Sequence, residues 1–183
     1  MEFNKEIIER SLKVWEFDID NISTEEIRHV PQHEWRIATK EKPLLYVENL
    51  QVCIGLYAYG NNFAFAAHIN PLVLAKNEYT LDVNGNPSYC NRCQDLLTQL
   101  LNYNGEITEP FKIGISYGVT PIADTEKTMQ LVLSGVEEVI KKLNELGIPA
   151  VQLENIYEPE FIIDSLNNCL ITPEPSKAVI LPH

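Results

Sequence analysis

The segment LQVCIGLYAYGNNFAFAAHINP, which runs from Leu50 to Pro71, contains two apolar runs separated by a Gly-Asn-Asn sequence. Within each run, large apolar side chains alternate with smaller or more polar ones, which is the two-residue period of a β-strand. The Gly-Asn-Asn sequence has the composition of a tight turn. The segment therefore predicts a β-hairpin, and it places Cys53 and His68 near the open end of that hairpin.

Two turns are compatible with this hairpin, and they differ in how Cys53 meets His68. A two-residue turn at Gly60-Asn61 would place the two residues directly opposite each other, with their Cβ atoms about 5 Å apart. A turn at Asn61-Asn62 would make them diagonal neighbours. We expect the first register, because glycine at the first central position is what a type II′ turn requires. Both registers keep the two side chains on one face, which only an odd-sized loop would change.

The two faces of the predicted hairpin differ in composition. One face is apolar throughout and is expected to belong to the core; it consists of Val52, Ile54, Leu56, Ala58, Phe63, Phe65, Ala67 and Ile69. The other face consists of Gln51, Cys53, Gly55, Tyr57, Ala64, Ala66, His68 and Asn70. Because the side chains around Cys53 and His68 are small or polar, we expect this second face to leave room for a ligand.

A thiol and an imidazole on one face can carry out nucleophilic catalysis. The imidazole of His68 would accept the proton of Cys53 and leave a thiolate–imidazolium pair, which lowers the pKa of the thiol. Such a thiolate attacks the carbonyl carbon of amides and esters. The reaction also needs donors for the oxyanion and a third group that orients the imidazole, but it needs no cofactor and no metal. The same pattern also arises where a small core residue and a hydrogen-bonded histidine share a sheet, and this alternative stays open.

Length, composition and charge limit the class of protein. The chain has 183 residues, of which 45% are hydrophobic and 22% are charged, which is typical of one globular domain. Its formal net charge of −12 disfavours nucleic acid and membrane surfaces as partners. The N-terminal sequence lacks the apolar stretch of a secretory leader, and no segment approaches the roughly 18 apolar residues of a membrane span. We therefore expect a cytoplasmic protein with four reduced cysteines.

The remaining sequence predicts an α+β fold in which mixed, sandwich-like β-sheets are flanked by helices. Residues 1–42 are polar and mixed, and we expect them to form an N-terminal extension packed on the domain. Residues 43–183 are expected to form the domain itself. In this part, a helix is predicted from about Asn91, a second helix ends near Gly147, and a final hairpin turns at Asn167-Asn168.

Cys90 and Cys93 form a C-x-x-C motif, which has three interpretations. A zinc site of this kind needs a second pair of ligands, and none with suitable spacing follows in the sequence. A redox site would be expected in a thioredoxin-like βαβ context near the N-terminus. The sequence favours structural thiols, with the metal and redox interpretations as alternatives.

The residues around the hairpin resemble CheD, the chemoreceptor glutamine deamidase family. The resemblance rests on Cys53 at the start of a strand, on Gly60 in the turn, and on the AAHINP sequence from Ala66 to Pro71. Farther along, FKIGIS, VEEVIKKLNELGIPAVQLEN and FIIDSLNNCLITPE are similar to the family's strand, helix–strand unit and final hairpin. The spacing from cysteine to histidine is also similar to that of the cytotoxic necrotizing factor toxins, which share a cysteine-hydrolase fold.

This resemblance implies roles for further residues. CheD has a catalytic threonine six positions before its cysteine, where Val47 stands here. In the toxins a backbone carbonyl orients the histidine, so Val47 would act through its carbonyl; Asn49 and Glu48 are side-chain alternatives. Val52 is a candidate for support of the oxyanion. Gln51 and Asn70 are expected to line the substrate site.

Two functions follow from this resemblance. The first is a cysteine amidohydrolase that deamidates protein glutamine through an acyl-enzyme intermediate, with Cys53 and His68 as its catalytic residues. The second is a CheD-like module that has lost catalysis and binds a protein partner. The absence of the threonine at Val47 motivates the second function. Both functions imply a protein as substrate or partner.

Overall fold

The computed structural model describes residues 24–71, 79–81, 83–118, 123–148, 150–156 and 158–172. Within these residues, eleven β-strands form three sheets, and two α-helices and a short 3-10 helix at Thr24–Glu26 accompany them. The four-stranded sheet has the order β1 (Ile27–His29), β3 (Leu44–Val47), β10 (Phe161–Asp164) and β11 (Cys169–Ile171). The five-stranded sheet has the order β2 (Trp35–Ile37), β5 (Phe63–Ile69), β4 (Ile54–Gly60), β8 (Phe111–Tyr117) and β9 (Ala150–Ile156). A small sheet pairs β6 (Tyr79–Leu81) with β7 (Pro87–Cys90), and the helices are α1 (Asn91–Leu101) and α2 (Ala123–Glu145).

The five-stranded sheet is buried on both faces. One face, which includes Leu56 and Phe65, packs against the apolar sides of α1 and α2. The opposite face, which includes Tyr57 and Ala66, packs against Phe161 and other side chains of the four-stranded sheet. Strands that are covered on both sides have few positions for charged residues, which explains the long apolar runs of β4 and β5. The predicted α+β class with sandwich-like mixed sheets is confirmed.

The hairpin of β4 and β5 has the second of the two predicted registers. Gly60 pairs with Phe63, so Asn61 and Asn62 are the central residues of the turn. Their φ angles of 52° and 60° correspond to a type I′ turn. The register expected from the glycine is therefore wrong. The observed turn is stabilised by tertiary contacts: Asn61 Oδ1 accepts hydrogen bonds from the backbone N–H groups of Thr108 and Glu109, at 2.8 and 3.2 Å.

The described part of the predicted N-terminal extension contributes to both large sheets. β1 pairs in parallel with β3 in the four-stranded sheet. β2 pairs antiparallel with β5 and forms an edge of the five-stranded sheet. The boundary predicted between residues 42 and 43 therefore separates strands that belong to the same sheets. Residues 1–23 lie outside the described residues.

The other elements largely follow the predicted pattern. α1 begins at Asn91, and the hairpin of β10 and β11 turns through Asn168 with a φ of 49°. α2 ends at Glu145 and is followed by Gly147, whose φ of 73° is the left-handed conformation common after helices. Neither described helix combines the length and the hydropathy that crossing a membrane would require.

Candidate functional site

Cys53 immediately precedes β4 and is 2% exposed. Its Sγ atom accepts a hydrogen bond from Gln32 Nε2 at 3.4 Å. Burial raises the pKa of the Cys53 thiol, and the hydrogen bond from Gln32 opposes this rise. The thiol is therefore protonated in the resting protein at neutral pH.

The loop between β3 and β4 holds Cys53 in place through Leu50. The Leu50 N–H donates to the carbonyl of Pro159 at 2.8 Å, and the Leu50 carbonyl accepts from the Gly118 N–H at 2.9 Å. A Cβ atom on Gly118 would lie 2.6 Å from that carbonyl oxygen and 2.8 Å from Gln51 Cα. Because both are backbone atoms, only glycine allows this close approach.

His68 lies on β5 directly opposite Gly55 and is 4% exposed. Neither ring nitrogen makes a hydrogen bond of ordinary geometry with any described residue. Burial lowers the pKa of His68 to about 4; the nearby imidazoles of His29 and His33 act in the same direction, and the backbone of Val30 and the carboxylate of Glu48 oppose it. The imidazole is therefore neutral at pH 7, which is the form that can accept a proton.

Cys53 and His68 are diagonal neighbours in the observed register. His68 faces Gly55, and Cys53 lies two residues before Gly55. No hydrogen bond joins the two side chains, because the Cys53 sulfur accepts from Gln32 and neither His68 nitrogen makes a hydrogen bond of ordinary geometry with a described residue. With a raised pKa for the thiol and a lowered pKa for the imidazole, the resting pair is neutral rather than the expected thiolate–imidazolium pair.

The face that carries Cys53 and His68 is covered by other residues of the fold. A Cβ atom on Gly55 would lie 2.6 Å from the ring of Phe161 and 3.0 Å from the side chain of Leu50. The four-stranded sheet and the loop before Cys53 thus fill the space beside the pair. The expectation that this face leaves room for a ligand is wrong, because small side chains here allow the two sheets to approach closely.

The other predicted site residues occupy different environments. Val47 is fully buried in β3, where it pairs with Phe161 across the four-stranded sheet. Asn49 and Gln51 are exposed on the loop before Cys53, and Asn49 has a φ of 59°. Val52 and Asn70 are half-buried.

Two groups near the pair were missed by the sequence-based prediction. Gln32 contacts the Cys53 sulfur from a turn between β1 and β2. His29 Nε2 lies 3.3 Å from Glu48 Oε1. Sequence gives no signal for either contact beyond the residue types, because both depend on where β1 and the following turn lie in the sandwich.

Cys90 and Cys93 are both fully buried where α1 meets α2. A Cβ atom on Gly135 of α2 would lie 2.8 Å from Cys93 Sγ, so the thiol packs against the helix backbone. The Cys93 thiol donates to the carbonyl of Val132 at 3.7 Å. These contacts favour structural thiols. Within the described residues, no three His, Cys, Asp or Glu side chains are arranged to hold a metal ion.

The environments of the four cysteines predict an order of alkylation. Cys169 is half-buried and Cys53 is nearly inaccessible, so we expect iodoacetamide at pH 8 to label Cys169 first and Cys53 more slowly. Cys90 and Cys93 should be labelled only when the protein unfolds. Peptide mass spectrometry over time measures this order, and urea-denatured protein is the control in which all four react. Rapid labelling of Cys53 at pH 6 would instead reveal a resting thiolate.

No protein-family model matches this chain, and no curated protein matches it either. What the site can do chemically therefore follows from the geometry around Cys53 and His68. The geometry provides a buried thiol, a neutral buried imidazole on the same face, and an amide donor on the sulfur from Gln32. These are groups that nucleophilic attack on an amide uses.

Proposed function

We propose that the protein is a cysteine-dependent amidohydrolase acting on glutamine side chains of proteins, with Cys53 as nucleophile and His68 as general base. The observation that carries the proposal is the buried His68 imidazole, which makes no hydrogen bond of ordinary geometry with a described residue and has only the Val30 backbone as a weak polar contact. Leaving a buried polar group unpaired costs about 1–3 kcal/mol. Such a cost is expected where the group is needed for function. The substrate class comes from the resemblance to CheD.

In the proposed reaction, the neutral imidazole of His68 removes the thiol proton as the Cys53 sulfur attacks the carboxamide carbon. The amide nitrogen of the tetrahedral intermediate then takes this proton from His68 and leaves as ammonia, so that a thioester on Cys53 remains. Water, activated by the same imidazole, hydrolyses the thioester, releases a glutamate side chain and regenerates the thiol. Because the pKa of His68 is about 4, this histidine is present as a base throughout the neutral range.

Because the described residues leave no space for a substrate beside the pair, the proposed reaction requires the loop before Cys53 to move, both to admit the carboxamide and to bring Cys53 to His68. Diagonal neighbours in an antiparallel pair lie roughly 7–8 Å apart, which exceeds hydrogen-bond distance. Cys53 is the last residue before β4, and the exposed Gln32 is its contact toward solvent. Rotation of the thiol from Gln32 toward His68 would form the pair and leave the Gln32 amide free to donate to the oxyanion. Catalytic hydrogen bonds often tighten only when substrate binds.

The proposal is tested by ammonia release from a tryptic digest of casein, followed with a glutamate dehydrogenase-coupled assay. We expect Cys53→Ser to lower the rate by at least about 10³-fold, since it removes the nucleophile. His68→Ala should lower it by at least about 10²-fold, since it removes the general base. Mass spectrometry of the digest should show a gain of one mass unit at glutamine residues.

The matched control is Cys169→Ser, which removes a half-buried thiol on the β10–β11 hairpin. This variant should retain the wild-type rate. Retention of full activity by Cys53→Ser would rule out the proposed nucleophile. Circular dichroism of each variant verifies that a lost rate reflects chemistry rather than unfolding.

A second candidate is a protein-binding module without catalytic activity. The covered face beside Gly55 and the absence of a hydrogen bond between Cys53 and His68 favour this candidate. It predicts no ammonia release from any glutamine-containing substrate. It also predicts that a purified protein partner would bind wild type, Cys53→Ser and His68→Ala with equal affinity.

A further inference from the structure

Three of the four arginines in the sequence line one pocket with a volume of about 560 Å³. The pocket lies along β2, the edge strand of the five-stranded sheet. Its charged lining residues are Arg28, Arg36, Arg92 and Glu34, and its apolar ones include Trp35 and Ile37. Such a concentration of arginine is unexpected in a chain whose formal net charge is −12.

The three guanidinium groups are held in place by backbone carbonyls of β2 and of the turn before it. Arg28 Nη1 donates to the Ile37 carbonyl at 3.1 Å, and Arg36 Nη1 donates to the Trp35 carbonyl at 2.7 Å. Arg92 Nη2 donates to the carbonyl of His33. These bonds protect an exposed sheet edge. A guanidinium has five N–H donors, so Arg28 and Arg36 keep further donors for a ligand.

The carboxylates near the pocket balance only part of its positive charge. Arg36 pairs with Glu34, and Arg92 Nη1 lies 3.0 Å from Asp95 Oδ2. Arg28 has no carboxylate partner among the described residues. Burial lowers the pKa of Arg28, and the nearby positive charge of Arg36 lowers it further. An anion between Arg28 and Arg36 would relieve this repulsion.

We propose that this pocket binds a small organic oxyanion, with Arg28 and Arg36 as its principal ligands to a phosphate or carboxylate group. Guanidinium groups match both anions because two parallel N–H donors meet two oxygen atoms. Trp35 and Ile37 offer apolar surface for the organic part of the ligand. The inference is independent of the chemistry at Cys53, since neither Cys53 nor His68 lines the pocket.

Isothermal titration of the full chain at low ionic strength tests this inference, with inorganic phosphate and citrate as separate probes. We expect at least one probe to bind saturably, with one site per chain. Comparing the affinity for phosphate with that for citrate shows whether the pocket prefers a phosphate or a carboxylate group. Arg28→Gln should weaken binding by about tenfold or more, since it removes a charge-assisted donor. Arg28→Lys should bind with intermediate affinity, because lysine keeps the charge but not the planar fork.

Lys141→Gln is the matched control, because it removes one positive charge from an exposed position on α2. It should bind the probes as wild type does. The inference is overturned if neither probe saturates, or if sodium chloride produces the same heat. The thermal transition of Arg28→Gln shows whether this variant is folded. If it is folded and binds as tightly as wild type, the inference is overturned. If it is not folded, Arg28→Lys replaces it, and binding as tight as that of wild type overturns the inference in the same way.

Discussion

Gly114→Ala should lower the free energy of unfolding by about 3 kcal/mol or more. Gly114 lies in the middle of β8, between Tyr57 on β4 and Glu154 on β9. A Cβ atom at this position would lie 2.0 Å from the Glu154 carbonyl oxygen and 2.6 Å from the Tyr57 ring. The clash with a backbone atom cannot be relieved by a side-chain rotation, so β9 would have to move away from β8. Urea denaturation followed by circular dichroism measures the loss.

Lys112→Ala on the same strand is the control for Gly114→Ala. The Lys112 side chain is 44% exposed, and its ammonium group lies 3.5 Å from Glu154 Oε1. Removing such an exposed pair should change the free energy of unfolding by less than about 1 kcal/mol. A similarly small change for Gly114→Ala would contradict the close approach of β8 and β9. A large change confined to Gly114 would support it.

The buried His68 imidazole should make the protein less stable as the pH falls. Its pKa is about 4 in the folded protein, against an ordinary value of 6.5 in the unfolded chain. As the pH falls, His68 is therefore protonated in the unfolded chain before it is protonated in the folded protein. The free energy of unfolding is unaffected by His68 above pH 6.5 and decreases as the pH falls from 6.5 toward 4. By linkage, this single group should cost about 2 kcal/mol between pH 8 and pH 5. Urea denaturation at each pH measures the loss.

His68→Leu tests the origin of this pH dependence. Leucine fills a similar volume without a titratable group, and it removes two buried ring nitrogens that make no hydrogen bond of ordinary geometry with the described residues. The variant should therefore be more stable than wild type at pH 5, and the difference should shrink toward pH 8. His33→Asn is the matched control, because it removes a less buried neighbouring imidazole and asparagine tolerates the φ of 68° at that position. The prediction fails if His68→Leu keeps the wild-type pH dependence.

The pH dependence bears directly on the proposed function. A histidine that destabilises the protein below pH 6.5, and that makes no hydrogen bond of ordinary geometry with the described residues, contributes little to the stability of the folded state. If His68→Leu gains stability and also loses ammonia release, the imidazole is kept for chemistry. If His68→Leu gains stability and the wild-type protein releases no ammonia, the function as a protein-binding module is favoured.

Local patterns in the sequence were sufficient to predict most elements, but they failed at particular residues. The alternation around Cys53 identified both strands of the central hairpin and the face shared with His68. The predicted position of the turn was wrong by one residue, because Asn61 accepts hydrogen bonds from the backbone of Thr108 and Glu109, which are remote in sequence. The prediction that the face of Cys53 and His68 is open was also wrong, because the four-stranded sheet, which includes Phe161, covers it.

The sequence by itself determined the α+β class, the order of the main elements, and the placement of Cys53 and His68 on one face. These features follow from side-chain periodicity and turn composition, which act over a few neighbouring residues. Only the tertiary structure decided that this face is covered, that Gln32 contacts the sulfur, and that Arg28 and Arg36 meet at one pocket. These features arise from packing between strands far apart in the chain, where burial sets the pKa values and leaves unpaired groups that no local pattern reveals.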